Sequence, residues 1–217
     1  MFSIPFLLIY IFILIYSIII HEVSHGLVAD YLGDPTAKLM KRLTLNPLPH
    51  IDPIGSILLP LMLIISGSGF LFGWAKPVPF DPFNLKNPRK DAALISLAGP
   101  ASNLTLALIG SVLLRLVIIF NSSFINSIGL QILPALIYIN ISLAIFNFLP
   151  IHPLDGFKII GGILSERRAK EWYELERFGF IFLLILIINP GLLNILVGPF
   201  INFLRDLLIP VGVGIII

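Results

Sequence analysis

Residues 1–25 read MFSIPFLLIYIFILIYSIIIHEVSH: twenty residues without a charged side chain, followed at once by His21, Glu22 and His25. An uncharged run of about 20 residues matches the length of a membrane-crossing helix, and it exceeds the apolar region of a signal peptide. It also leads into an ionisable cluster instead of a small-residue cleavage site, so it is expected to be a retained membrane helix. Composition agrees along the whole chain. The 217 residues are 57% hydrophobic and 12% charged, with a mean hydropathy of +1.01, outside the range of a soluble domain.

Further apolar stretches run from about 54 to 73, 92 to 120, 128 to 149, 178 to 188 and 191 to 204. The expected fold is an all-α polytopic membrane protein occupying residues 1–217 as one domain, with a catalytic core of three helices within residues 1–162 and a helical region over 163–217. The 54–73 stretch differs from the others. Pro60 and Ser66-Gly67-Ser68-Gly69 interrupt it, and a basic loop follows, so it is expected to enter the membrane and return. The proline-rich segments 46–53 and 73–79 fit short edge strands or loops lining a substrate's path, giving a small re-entrant and β-strand region after the first helix. A net charge of +2, scattered over short loops, implies no nucleic-acid partner. The absence of cysteine removes disulfides, thiolate nucleophiles and sulfur-held metals, leaving His, Asp and Glu as possible ligands.

H-E-x-x-H on a helix places two histidines on one face, able to share one metal ion, with the glutamate beside it as general base. Ionisable groups at membrane depth are costly unless paired or metal-bound, so this context favours a metal over a chance occurrence of the motif. A tetrahedral zinc with one position kept for water needs a third protein ligand. Asp155 is the best candidate. It lies in FNFLPIHPLDG, residues 146–156, where two prolines stop an apolar helix and a glycine follows the acid. Taken alone, Asp155 also suits a cap or turn.

HEVSH with FNFLPIHPLDG resembles the site-2 protease family of intramembrane metalloproteases, in its short prokaryotic type without PDZ or CBS domains. NPLPHIDP at 46–53, GWAKPVP at 73–79 and AGPASN at 98–103 are similar to segments of that family, in the same order. The resemblance implies one Zn2+ held by His21, His25 and Asp155, Glu22 as general base, and Asn147 as the amide that steadies the oxyanion. It also implies hydrolysis of peptide bonds within or near the transmembrane segments of single-span proteins in the bilayer. His152 departs from the pattern; an additional metal ligand is one reading of it, and a surface or hydrogen-bonded histidine is the favoured one. His50, in a proline-rich loop, is expected to have a structural role near the active site, outside the ligand set. A metal transporter and an inactive scaffold that binds membrane segments are the alternatives, although neither requires Glu22.

Topology supplies an independent condition, because Asp155 must return to the face on which the histidines end. With residues 54–73 re-entrant, two crossings intervene and the condition is met. Lys38, Lys41, Arg42, Lys76, Lys86, Arg89, Lys90, Arg167, Arg168 and Lys170 then share one side, which the positive-inside rule makes cytoplasmic. A multi-pass cell-membrane protein with its active site toward the cytoplasm and its N-terminus outside is expected.

Overall fold

The computed structural model describes residues 4–58, 61, 62, 65, 73–120 and 123–213. Its α-helices are α1 (Ile4–Leu32), α2 (Thr36–Leu39), α3 (Pro88–Phe120), α4 (Ser123–Asn147), α5 (Asp155–Ile163), α6 (Glu166–Tyr173), α7 (Glu176–Ile188) and α8 (Pro190–Leu208). Among the described residues, four stretches are long and apolar enough to cross a bilayer: Phe6–Leu32, Pro88–Phe120, Gly129–Asn147 and Pro190–Leu208. The protein is therefore helical and multi-pass. At 13 residues α7 reaches only about 20 Å, short of a bilayer's apolar thickness.

Helix α1 leans on α3 and α4, α3 packs along α4 and α5, and α8 covers α4. The apolar centre of the bundle joins Ala107 and Leu114 of α3, Ile137 and Ile141 of α4, and Leu208 with Ile209 at the end of α8. Along α1, Leu7, Leu8, Ile11, Phe12 and Ile15 are exposed, as a lipid-facing surface requires, whereas Ile13, Ser17 and His21 are buried at four-residue spacing. His25 continues that stripe. The face of α1 turned into the protein thus becomes more polar toward its C-terminal end.

Gly33 (φ 110°) ends α1 in the left-handed region that favours glycine. Asp34 follows, fully buried, and accepts from the Thr36 N–H and hydroxyl, the Asp81 N–H and the Asn84 amide. Burial raises its carboxyl pKa, but hydrogen bonds from Thr36, Asn84 and Asp81 outweigh this and hold it below its ordinary value. Its contribution to stability is then present above the ordinary carboxylate range and is lost as pH falls through the folded-state value. Asp34 pins the 81–84 segment to the end of α1 and so fixes where α3 begins.

The expected β-strand region does not form among the described residues. Residues 73–81 form neither helix nor strand, and their amides find unrelated partners: Trp74 N–H donates to Gly55 O at 3.1 Å, Lys76 N–H to His50 O at 2.9 Å, and Val78 N–H to a side chain of α1. Pro77, Pro79 and Pro82 have no N–H, so no ladder can propagate. Arg42 holds the segment from the other side, donating to Lys76 O at 2.8 Å and Pro77 O at 3.3 Å. The segment expected to re-enter the membrane, 54–73, lies largely outside the described residues. Its described parts are a π-helical turn over Pro53–Leu58 and helical residues 61, 62 and 65.

Candidate metal centre

His21 and His25 lie one turn apart on α1, their rings 4.6 Å apart and perpendicular. Asp155, the first residue of α5, reaches both through one oxygen. Its Oδ2 is 3.1 Å from His21 Nε2 and 3.4 Å from His25 Nε2. Two features of the chain deliver it there. Helix α4 stops before Pro150, and Gly156 lets α5 start against the end of α4, since a Cβ there would lie 2.2 Å from Phe148 O. The described spans between His25 and Asp155 are two, Pro88–Phe120 and Gly129–Asn147.

Each ring is held from behind through Nδ1. His25 Nδ1 lies 2.7 Å from Ile95 O, and His21 Nδ1 lies 2.7 Å from Asn103 Oδ1. A carbonyl only accepts, so His25 carries its proton on Nδ1 and, when neutral, turns a bare Nε2 toward Asp155. Asp155 Oδ2 is buried and has no hydrogen-bond partner. Lone pairs so placed repel unless a cation lies between them, and two imidazole nitrogens with one carboxylate oxygen form a donor set suited to zinc. The residues fit the metal. Asp155 lies past the end of α4, and its carboxyl is held below its ordinary value: burial raises it, while the two histidine rings beside it lower it further.

Glu22 shares the cluster, the possible ligand atoms of His21, Glu22 and His25 lying within 4.8 Å of one another. Its Oε2 accepts the Val78 N–H at 2.9 Å, which ties the 73–81 segment to this end of α1. Asn147 is the last residue of α4 and donates its side-chain amide to Leu143 O at 2.9 Å. His50 is buried in the loop after α2 and lies 2.9 Å from Thr44 O through Nε2. His152 pairs with Glu176 of α7 at 3.6 Å and is partly exposed. Neither of these two joins the cluster.

Gly99 and Asn103, one turn apart on α3, carry little sequence signal beyond their place in AGPASN, and the ordinary reading of such residues is helix packing. The structure puts both against the histidines. A Cβ at Gly99 would come within 2.5 Å of His21 Cε1, His25 Cε1 and His25 Nε2.

The model of peptidase family M50 matches residues 114–186, a stretch that includes Asp155 and Asn147. Across most of its length the chain is similar to relatives named "Putative zinc metalloprotease". With YwhC of Bacillus subtilis (strain 168) it is 40% identical over 196 residues, 89% of this chain and 85% of that protein. With Rip2 of Mycolicibacterium smegmatis it is 30% identical over 181 residues, 81% of this chain and 65% of that protein. No solved structure matches.

Proposed function

The chain belongs to peptidase family M50 and is a multi-pass membrane zinc metalloprotease, and from that premise we propose that it cuts single-span membrane proteins within or near their transmembrane segments at His21, Glu22, His25 and Asp155. The observation that carries this site is the convergence of both Nε2 atoms on the otherwise unpartnered Asp155 Oδ2.

In this reading His21, His25 and Asp155 would hold one zinc ion, within a single domain whose core is α1, α3, α4 and the start of α5. Bound zinc supplies Lewis acidity toward the scissile carbonyl and acidifies a water to near neutral pH. Glu22 takes the proton of the attacking water and passes it to the leaving amine. The Val78 N–H fixes one carboxylate oxygen, so the group presents a set orientation. Asn147 is the candidate oxyanion donor; its amide is engaged with Leu143 O, so that role asks the side chain to turn when substrate binds. A transmembrane substrate must first unwind, because its helical hydrogen bonds cover the scissile amide.

The decisive measurement is cleavage of a single-span substrate by purified protein, compared with a chelated sample and with Asp155→Ala. Cleavage in the first alone is expected. Equal cleavage in all three would exclude the mechanism, and none in the first would favour a scaffold.

The same reading turns the site toward the cytoplasm, with the N-terminus outside. Support comes from the basic residues between 38 and 90 and between 167 and 170, which share the histidines' side if two crossings separate His25 from Asp155. The chain has no cysteine, so one introduced at Lys86 should react with an impermeant maleimide in inverted vesicles but not in intact cells. The opposite pattern would reverse the topology.

A further inference from the structure

Behind the metal-binding face, four polar side chains from three spanning helices meet where an apolar core is expected: Ser17 and His21 of α1, Asn103 of α3 and Asn140 of α4. Asn103 and Asn140 are fully buried, and Ser17 is 2% exposed. Uncompensated amides are costly at this depth, so each proton should have a destination.

Every amide proton has one. Asn140 Nδ2 donates to Leu136 O and to Ser17 Oγ, both at 2.9 Å. Asn103 Nδ2 donates to Asn140 Oδ1 at 2.8 Å and to Ser17 O at 3.3 Å. Leu136 O and Ser17 O are backbone carbonyls and can only accept, which fixes both amides against flipping. Asn103 is thereby left presenting its oxygen, and only its oxygen, to His21 Nδ1 at 2.7 Å. His21 must then carry its proton on Nδ1, and a neutral imidazole has only one N–H, so Nε2 is bare where it faces Asp155.

We propose that Asn103, oriented by Asn140 and Ser17, is a positioning residue that locks His21 in the tautomer able to bind metal through Nε2. The inference rests on the metal-site reading above. It gives the buried amide pair a task that helix packing alone does not require, because the pair could satisfy itself without aiming an acceptor at the ring. For His25 a backbone carbonyl, Ile95 O, does the same work, so only His21 depends on a side chain for its tautomer.

The test uses the full chain in detergent and reads metal binding rather than cleavage: zinc competed against a chromophoric chelator, and the visible spectrum of the cobalt(II) form. Loss of an outer partner of a metal-bound histidine typically weakens metal binding about 10–100-fold, and that loss is expected for Asn103→Leu together with an altered cobalt spectrum. Asn103→Asp keeps an acceptor on Nδ1 but loses the donors to Asn140 and Ser17, so it should bind zinc more tightly than Asn103→Leu without reaching the parent protein. Asn140→Leu should show a smaller loss, because Ser17 O still orients Asn103. Unchanged affinity and spectrum in Asn103→Leu would overturn the proposal, as would an Asn103→Asp protein that binds more weakly than Asn103→Leu.

Should Asn103→Leu not fold, the 15N spectrum of imidazole-labelled, zinc-loaded parent protein decides, with His21 assigned by comparison with His21→Gln. A proton on Nδ1 supports the lock; a proton on Nε2 refutes it. His25→Ala separates the two levels: parent protein that binds no zinc, or binds it as tightly with His25→Ala, sinks the metal site itself and this inference with it.

Discussion

Gly99→Ala should sharply reduce peptide hydrolysis and weaken zinc binding together, although the change adds one methyl group to a small-residue helix. The added carbon would lie 2.5 Å from atoms of both His21 and His25, closer than any real contact of that kind. Neither ring can step aside freely, because His21 is tied to Asn103 and His25 to Ile95. Both tethers sit on α3, the helix that carries Gly99, so α3 cannot retreat without pulling the rings with it. The imidazoles must tilt or slide by roughly 1 Å, and displacements of that size in a catalytic constellation cost about 100-fold in rate. We expect kcat/KM to fall by at least about that factor. Gly191→Ala is the control, since a Cβ there makes only an ordinary 3.5 Å contact with Asn189 Oδ1. Normal zinc affinity and cleavage in Gly99→Ala would show that the histidines do not work in the arrangement described.

Glu22→Gln should separate chemistry from metal binding. The amide has nearly the shape of the carboxylate and its oxygen can still accept the Val78 N–H, so the 73–81 segment and α1 should keep their places. It cannot take a proton from water. Losing a general base costs about 100- to 10,000-fold, and the loss should fall on kcat with KM little changed. Zinc affinity, measured by chelator competition, should stay near that of the parent protein. A parallel collapse of affinity would instead make Glu22 part of the metal's support.

Much of the architecture was legible in the chain because its signals are local. The uncharged run before His21 specified a spanning helix, and the spacing of His21 and His25 specified a shared helix face without reference to any other part of the chain. The strand region misled for an equally local reason. Proline-rich sequence predicts a non-helical backbone, which residues 73–81 have, but strand pairing depends on where the free N–H groups point. One of them, on Val78, points at Glu22, 56 residues away.

Asn147 shows the limit from the other side: sequence can nominate an amide near the metal, but its bond to Leu143 belongs to a rotamer. Asn103 and Asn140 are the reverse case. An asparagine in an apolar helix reads as packing glue whatever it touches. Their bonds to residues 82 and 37 positions away exist only once α1, α3 and α4 are side by side.

The sequence by itself determined the solvent and the candidate donor face: a bilayer, because a run of apolar side chains this long needs an apolar surrounding, and two histidines on one helix face, because four-residue spacing aligns imidazoles. Only the tertiary structure decided that Asp155 meets that face through a single oxygen, that Gly99 leaves room for both rings, and that a chain of amides fixes which nitrogen of His21 is bare. Those relations are set by helix packing at ångström precision between residues far apart in the chain, and no periodicity along a single segment encodes them.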